Sequence, residues 1–444
     1  MNLFTRLLLL PILLSISACD FDSTTEVTTG RKLAPSSSEQ FISATSSGQG
    51  LLQHQRLPKN EIWWKVNGED MAWNFRNLHQ IFPTVNVYRN GPVRELEYAV
   101  NPAIAEFEVD TQAGKFSLED FIHSNQSTVL GVVILHKGKI AYESYPRMEA
   151  YEMPVYWSVA KALVGTIVRI LEERGEIDVN RSIDHYLPEV SASDLAGISV
   201  RDILDMATGL DCEDEYDDRT SCYYLYSMGV GDGFRTENAP VNAYEFVKTL
   251  KTTKVDEPGT RFSYSGMNTF VLAWLVEKVT GVRFQDVLSR EIWWHIGAES
   301  NAAYIAPVQG IPVTHGGFLA RMRDLARLGL LFTPSYGVVS DRKIISDEHI
   351  EFIFSGGRPA LLTNAGFPDS SSSGIKHNIY QWDEIGVNGD FFKGGWAGQG
   401  FLVNPRKDLV AVWTGYMKED FSEVKFEPIV REMLNTVFPG AEPR

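Results

Sequence analysis

The chain has 444 residues, of which 44% are hydrophobic and 11% aromatic, and its formal net charge is −16. This is enough apolar material for one large domain with an inserted lobe, or for two closely packed domains. The acidic balance argues against nucleic-acid binding, because contacts with phosphate need clustered lysine and arginine.

The first predicted element is an export signal. A short basic start ending at Arg6 precedes an apolar run over residues 7–16, which is too short to span a bilayer as a stable helix. The run ends in Ile16-Ser17-Ala18-Cys19, which resembles the lipobox of bacterial lipoproteins. The resemblance implies a signal peptide at residues 1–19 and a durable acyl anchor on Cys19. A buried cysteine in an ordinary signal is the alternative.

The residues after Cys19 carry two further expectations. Asp20 resembles the inner-membrane retention signal of enteric lipoproteins, so we expect a lipid-anchored protein of the bacterial cell envelope that faces the periplasm. Residues 20–58 are rich in Ser, Thr, Gly and charge and predict a flexible tether, because they bury too little apolar area to offset their ordering entropy. Residues 59–444 remain for the folded domain.

A β-hairpin is predicted at residues 128–145. Residues 128–135 are rich in β-formers, residues 136–139 have turn chemistry, and residues 140–145 alternate between apolar and polar side chains.

The pattern Ser-x-x-Lys follows this hairpin, but the chain contains it four times, which is close to chance. The four serines are Ser158, Ser340, Ser373 and Ser422. Only Ser158 precedes apolar residues at the spacing of a buried helix face, from Val159 to Ile170. The other three serines are predicted to be solvated surface.

Ser158 is predicted in the first turn of this core helix, with Lys161 on the same face. Unpaired N–H groups and the helix dipole favour a developing alkoxide there. We therefore interpret Ser158 as a nucleophile and Lys161 as its amine partner. An N-cap serine beside a solvated lysine is the alternative.

Next in the chain is an acidic loop with two cysteines. Its carboxylates are Asp211, Glu213, Asp214, Glu215, Asp217 and Asp218. They could attract a cationic substrate group such as an amine, although a solvated loop is the alternative and calcium binding is disfavoured. Cys212 and Cys222 could pair in an oxidising compartment and fix this loop; two free thiols are the alternative.

The end of the chain predicts a second hairpin at residues 400–403 and 409–414, followed by a closing helix at residues 426–438. Mostly helical patterns lie between the two hairpins, for example at residues 269–280 and 320–332. Terminal strands that bracket a helical middle predict a mixed α/β (α+β) fold. In this fold an antiparallel sheet is flanked by helices and carries an inserted, mainly helical lobe.

Three segments in order carry a family resemblance. They are Ser158-Val159-Ala160-Lys161, the tyrosine loop and helix start at residues 258–269, and Lys393-Gly394-Gly395-Trp396 at the start of residues 393–399. Over residues 60–438 the chain resembles the serine β-lactamase and penicillin-recognising superfamily, in its class C and esterase-like branch. Within that branch it resembles the 6-aminohexanoate-dimer hydrolases, which are amidases of nylon oligomers. The resemblance implies a β-lactamase/transpeptidase-like fold.

The resemblance also implies roles for these residues. Lys161 would accept the proton of Ser158, and Tyr264 would relay it to the leaving group and later activate water. The N–H groups of Ser158 and Trp396 would form the oxyanion hole at the Gly395 strand end, and Lys393 would add positive charge for a substrate carboxylate or for the tyrosine. No cofactor or metal is expected.

Two departures bear on the substrate. Gly266 stands where the family often has Asn, two residues after the tyrosine, and Gly394 stands where penicillin-recognising enzymes carry Thr or Ser. We therefore predict a serine hydrolase of small amides or esters that forms an acyl-enzyme. The alternatives are a β-lactamase, a D-alanyl-D-alanine carboxypeptidase-type enzyme, or a catalytically silent envelope binding protein.

Overall fold

The computed structural model describes residues 51–440. The predicted signal peptide at residues 1–19, the predicted lipidation site Cys19 and most of the predicted tether lie outside the described residues. Residues 51–56, near the end of the predicted tether, are helical, and Leu57 is 8% exposed and belongs to the main apolar core. No helix among the described residues is long and apolar enough to cross a bilayer.

The strands of this part of the chain are short and almost all antiparallel to their neighbours. In chain order they are β1 (Thr84–Val87), β2 (Glu108–Thr111), β3 (Gly114–Ser117), β4 (Val129–His136), β5 (Lys139–Ser144), β6 (Ala302–Ile305), β7 (Phe318–Leu319), β8 (Ile375–Ile379), β9 (Trp382–Gly386), β10 (Phe391–Gly395), β11 (Gln399–Asn404) and β12 (Leu409–Gly415).

The helices are most numerous between β5 and β8. In chain order they are α1 (Gly68–Ile81), α2 (Pro102–Ala105), α3 (Leu118–His123), α4 (Ala160–Glu173), α5 (Ile183–Tyr186), α6 (Val200–Leu204), α7 (Cys222–Val230), α8 (Ala243–Lys248), α9 (Gly266–Thr280), α10 (Phe284–Glu291), α11 (Met322–Leu330), α12 (Asp347–Ser355), α13 (Ala360–Asn364), α14 (Ser370–Ser373) and α15 (Phe426–Val437).

The main sheet has seven strands in the order β5-β4-β12-β11-β10-β9-β8. Its register places Val133 of β4 opposite Val412 of β12, so an early strand lies beside the last one. Alternate residues of β4 point to opposite faces of the sheet. Val133 belongs to the larger apolar core and Val132 to a second one, so both faces of the strand are buried.

Helices cover both faces of this sheet. The second core contains Phe121 of α3 and Val430 of α15. The larger core on the opposite face contains Ile167 of α4, Leu272 of α9 and Leu325 of α11. The antiparallel sheet flanked by helices, with a mainly helical insertion between β5 and β8, confirms the fold class predicted from the sequence.

Both predicted hairpins are confirmed, as β4–β5 and β11–β12, and the predicted closing helix is α15. The β4–β5 turn contains Lys137 and Gly138, with φ angles of 50° and 73°. Left-handed residues of this kind give a two-residue turn the twist that antiparallel strands need.

Candidate active site

Ser158 lies in a 3₁₀ turn that leads into α4. The prediction that it belongs to the first α-helical turn is wrong in detail, because the α-helix begins two residues later, at Ala160. The turn contains Trp157, whose φ of 46° is left-handed, a conformation that a bulky residue keeps only where its surroundings hold it. Its ring packs against Trp63 and Phe75, with centroids 5.8 and 5.4 Å away.

Lys161 is placed against the Ser158 hydroxyl. Its Nζ is 2.9 Å from Ser158 Oγ and also donates a 2.9 Å hydrogen bond to the main-chain oxygen of His315. The side chain is only 1% exposed. Burial lowers the pKa of Lys161 to about 8; the Asp214 carboxylate opposes this shift and the charge of Lys393 adds to it. A neutral amine that can accept the serine proton is therefore accessible near neutral pH.

Tyr264 and Lys393 form the other half of the site. Lys393 Nζ donates a 2.9 Å hydrogen bond to the Tyr264 hydroxyl and forms a 2.5 Å ion pair with Asp383. The Nζ atoms of Lys161 and Lys393 each lie 4.8 Å from the centroid of the Tyr264 ring. Burial raises the pKa of Tyr264 well above its ordinary value, so the phenol is protonated at rest.

The end of β10 packs directly against the serine turn. A Cβ on Gly395 would lie 2.4 Å from the main-chain oxygen of Tyr156, so this close approach requires glycine. The next residue, Trp396, has its ring 5.7 Å from that of Trp157 and lines the same cavity as Ser158. The two predicted oxyanion donors, the N–H groups of Ser158 and Trp396, thus belong to segments that touch.

Five aromatic side chains contribute to the wall of this cavity, which has a volume of about 340 Å³. They are Trp64, Trp157, Tyr216, Tyr264 and Trp396. The volume lies at the small end of the range for ligand pockets. Trp64 comes from the segment before α1, and its indole nitrogen donates to the main-chain oxygen of Asp232.

A buried polar network borders the cavity on its other side. His315 Nε2 is 2.8 Å from Asp232 Oδ2, and His315 Nδ1 is 2.8 Å from the Tyr226 hydroxyl. Tyr216 donates a further hydrogen bond of 2.8 Å to Asp232 Oδ2. Asp232 is 2% exposed, yet among the described residues its Oδ1 has no hydrogen-bond partner. The wall of the cavity therefore includes a buried carboxylate, one oxygen of which has no hydrogen-bond partner among the described residues.

The same network explains one departure from the family pattern. A Cβ on Gly266 would lie 2.5 Å from the Tyr223 hydroxyl and 2.7 Å from the His315 ring. No side chain fits there, because this space is already filled. Asn268, two residues further on, does not replace the asparagine that the family often has at the position of Gly266. It is fully buried, and its Nδ2 lies 3.5 Å from the sulfur of Met206.

One carboxylate of the acidic loop, that of Asp214, reaches the site. Cys212 and Cys222 form the predicted disulfide, with their sulfurs 2.00 Å apart. Between them, Asp214 lines the cavity and accepts a 2.6 Å hydrogen bond from the N–H of Gly266. Residue 214 is exposed overall, but its carboxylate lies among protein atoms, and this desolvation raises its pKa. Asp217 and Asp218 are exposed, as expected for a solvated loop.

The structure brings together the predicted Ser158, Lys161, Tyr264 and Trp396 around one cavity, with Lys393 and Gly395 directly behind them. One expectation about the other serines is wrong. Ser340 is 1% exposed rather than solvated, and its hydroxyl donates to the main chain of Arg342. Among the described residues, Ser340 has no hydrogen bond to a lysine, and it does not line the cavity.

Several residues of the site were not predicted to belong to it. They are Trp64, Tyr216, Asp232, His315 and Asp383. His315 begins the segment His315-Gly316-Gly317-Phe318, which precedes a helix and is similar to a connecting segment of the family, and this was an available signal. Asp383 lies ten residues before Lys393, a separation that fits two strands of one hairpin. Only the register of β9 and β10 shows that the two side chains meet.

A serine and lysine in contact, with a tyrosine across the cavity, beside an antiparallel sheet with helices on both faces, define a serine hydrolase of the β-lactamase type. The model of the Beta-lactamase family matches residues 118–415, and the chain belongs to this family.

Individual relatives narrow the comparison. The chain is 29% identical over 343 residues to the 6-aminohexanoate-dimer hydrolase of Paenarthrobacter ureafaciens, covering 77% of this chain and 84% of that protein. A solved structure from Bacillus anthracis, provisionally named 6-aminohexanoate-dimer hydrolase, superposes with a TM-score of 0.72 at 21% identity over 86% of this chain and 97% of the other. A family VIII carboxylesterase gives a TM-score of 0.55 at 14% identity over 77% of this chain and all of the other (100%). Both solved structures share the fold of the present chain.

Proposed function

We propose that this serine hydrolase cleaves small amides or esters through an acyl-enzyme on Ser158, as a 6-aminohexanoate-dimer hydrolase-like enzyme. One observation carries the proposal: Lys161 Nζ is 2.9 Å from Ser158 Oγ inside a small aromatic cavity that Tyr264 also lines. The 29% identity to a 6-aminohexanoate-dimer hydrolase supports this assignment.

In acylation, Ser158 Oγ attacks the carbonyl carbon and its proton passes to neutral Lys161. The oxygen of the tetrahedral intermediate accepts from the N–H groups of Ser158 and Trp396; losing one such donor usually costs about 10²- to 10³-fold in kcat. Tyr264 delivers a proton to the leaving nitrogen or oxygen as its bond to carbon breaks. In deacylation, water gives a proton to the Tyr264 phenolate and attacks the ester carbon, and Lys161 returns its proton to Ser158 Oγ as the acid is released.

The free Oδ1 of Asp232 favours substrates that carry a cationic group, such as a primary amine. A buried carboxylate oxygen without a partner is unfavourable, and an ammonium group within hydrogen-bond distance would remove that cost. Asp214 adds a second carboxylate to the cavity wall.

Antibiotic hydrolysis and D-alanyl-D-alanine cleavage are less well supported. Gly266 and Gly394 offer no side-chain amide or hydroxyl. Lys393, for which a substrate carboxylate was one expected partner, is 0% exposed and already bonded to Tyr264 and Asp383.

We also propose that the protein is anchored in the bacterial cell envelope by lipid on Cys19 and faces the periplasm, with Asp20 favouring the inner membrane. Metabolic labelling with a palmitate analogue should mark the wild type in the membrane fraction. Cys19→Ala should abolish the label, and a labelled variant would contradict the anchor.

The catalytic proposal is tested by pre-steady-state hydrolysis of p-nitrophenyl acetate by a soluble form lacking residues 1–50. Wild type should release a burst of nitrophenol close to one per protein, because acylation by this activated ester should be faster than deacylation. Ser158→Ala should lose both the burst and turnover. Ser422→Ala, which alters an exposed serine in the same four-residue pattern, is the control and should match wild type. Equal traces for wild type and Ser158→Ala would favour a silent binding protein.

The substrate charge is tested with a matched pair of anilides, 6-aminohexanoic acid p-nitroanilide and hexanoic acid p-nitroanilide. Wild type should prefer the amine-bearing substrate in kcat/KM, about 10-fold or more for one charged hydrogen bond. Asp232→Asn should lose most of this preference but still hydrolyse p-nitrophenyl acetate. A preference that survives in Asp232→Asn would place the cation elsewhere.

A further inference from the structure

Asp383 is a carboxylate behind the active site that the reaction scheme above does not use. It lies on β9, next to β10, and its two oxygens have separate partners. Oδ1 forms the 2.5 Å ion pair with Lys393 Nζ, and Oδ2 accepts a 3.1 Å hydrogen bond from the N–H of Gly394. The carboxylate is therefore fixed both to the lysine and to the strand that carries it.

We propose, on the basis of the acyl-enzyme reaction proposed above, that Asp383 is a positioning residue that keeps Lys393 as a cation against the Tyr264 hydroxyl. Lys393 then serves proton transfer at Tyr264 rather than recognition of a substrate carboxylate.

The burial of Lys393 is the first argument. Its side chain is 0% exposed, and it is not among the residues that line the cavity. A lysine taken out of water tends to lose its proton unless a carboxylate compensates. Burial lowers the pKa of Lys393, and Asp383 opposes that shift more than any other group.

The remaining charges around Lys393 cannot replace Asp383. Asp214 and Glu384 also favour the ammonium form, but neither has a hydrogen bond to it, and Glu384 pairs with Arg431 at 2.5 Å. Lys161 faces Lys393 across the Tyr264 ring and disfavours a second positive charge. Asp383 is thus the one carboxylate in contact with the lysine among the described residues.

The chemical consequence lies at Tyr264. Its pKa is raised by burial, and the negative charge of Asp383 adds to this, so a phenolate there is costly. A lysine cation 2.9 Å from the phenol oxygen stabilises the phenolate that forms when Tyr264 gives up its proton. Without the cation, Tyr264 would be a much poorer acid for the leaving group.

The test is the pH profile of kcat for hexanoic acid p-nitroanilide, whose leaving nitrogen needs a proton, in wild type and in Asp383→Asn, which keeps the shape of the side chain but removes its charge. The alkaline limb, set by Lys393 losing its proton, should move to lower pH by about 1 to 3 units. At the optimum kcat should fall about 10-fold or more, since general acid–base help is worth about 10²- to 10⁴-fold. KM should stay unchanged, because Asp383 does not line the cavity.

Asp390→Asn is the matched control. Asp390 is another buried carboxylate next to β10, 5% exposed and paired with Arg431 at 3.3 Å, and it does not touch Lys393. It should lower thermal stability without moving the alkaline limb. If Asp383→Asn does not fold, Lys393→Met provides the same test, because it should lack the wild-type alkaline limb.

The outcomes separate the two proposals. If wild type has no turnover that depends on Ser158, the proposed function fails. If wild type is active but Asp383→Asn keeps its alkaline limb, or if Asp390→Asn shifts it equally, the role of Asp383 is overturned. An unchanged alkaline limb in Lys393→Met would also overturn it.

Discussion

At the scale of single residues, the site works by placing two lysines in low-dielectric surroundings with different partners. Among the described residues no carboxylate forms an ion pair with Lys161, and its pKa falls to about 8, whereas Lys393 has Asp383 at 2.5 Å. Lys161 can therefore act as a base while Lys393 stays protonated. Environments that push like groups apart in pKa commonly divide catalytic roles in this way.

This division predicts the acidic limb of the pH profile. Lys161 must be neutral to accept the proton of Ser158, so kcat/KM for a neutral ester should rise with pH and level off near the pKa of about 8. Below that pH each unit should cost about 10-fold, because the neutral fraction falls in proportion. The measurement is kcat/KM for p-nitrophenyl acetate from pH 5.5 to 9.

Tyr264→Phe is the control for this profile. Its kcat should be low at every pH, because deacylation needs the tyrosine to activate water, yet kcat/KM should keep the acidic limb, because Lys161 remains. A limb near pH 4 to 5 in wild type would identify a carboxylate as the base and remove the role of Lys161.

At the scale of elements, the site depends on contacts between segments that are far apart in sequence. The serine turn before α4 meets the end of β10 at Gly395, and Trp64 enters from the segment before α1. The acidic loop is tied to the start of α7 by the disulfide between Cys212 and Cys222. Each connection fixes one wall of a cavity that no single element could form.

The disulfide makes a testable contribution to stability. Cys212→Ala combined with Cys222→Ala should lower the free energy of unfolding by about 2 to 3 kcal/mol, because a closed loop of this size restricts the unfolded chain. Chemical denaturation measures the change. Turnover should fall as well, since Asp214 and Tyr216 lie within the loop.

Wild type in reductant is the internal comparison for that experiment. It should unfold at the denaturant concentration of the double variant, because both lack the same cross-link. Identical unfolding of oxidised wild type and the double variant would show that the bridge contributes nothing.

At the scale of the whole molecule, the features that could be predicted from the sequence are those whose residues lie close together along the chain. Ser158 and Lys161 are three residues apart at the start of an apolar helix, and each hairpin is a contiguous pattern, so both are visible without tertiary information. Asp383 and Asp232 reach the site through strand register and loop path, which no local pattern records. Ser340 shows the opposite error, since a polar neighbourhood in sequence became a buried position in the fold.

Because β4 pairs with β12, one edge of β4 has no partner until the end of the chain has been made. During synthesis β4 leaves the ribosome early, and its partner on one side is among the last segments to follow. Until then β4 presents an apolar edge, which is a template for aggregation. The Ser158 half of the site precedes the helical insertion and the Lys393 half follows it. A chain that ends before β10 therefore carries the nucleophile but no complete catalytic site, so only chains that extend past Lys393 can form one.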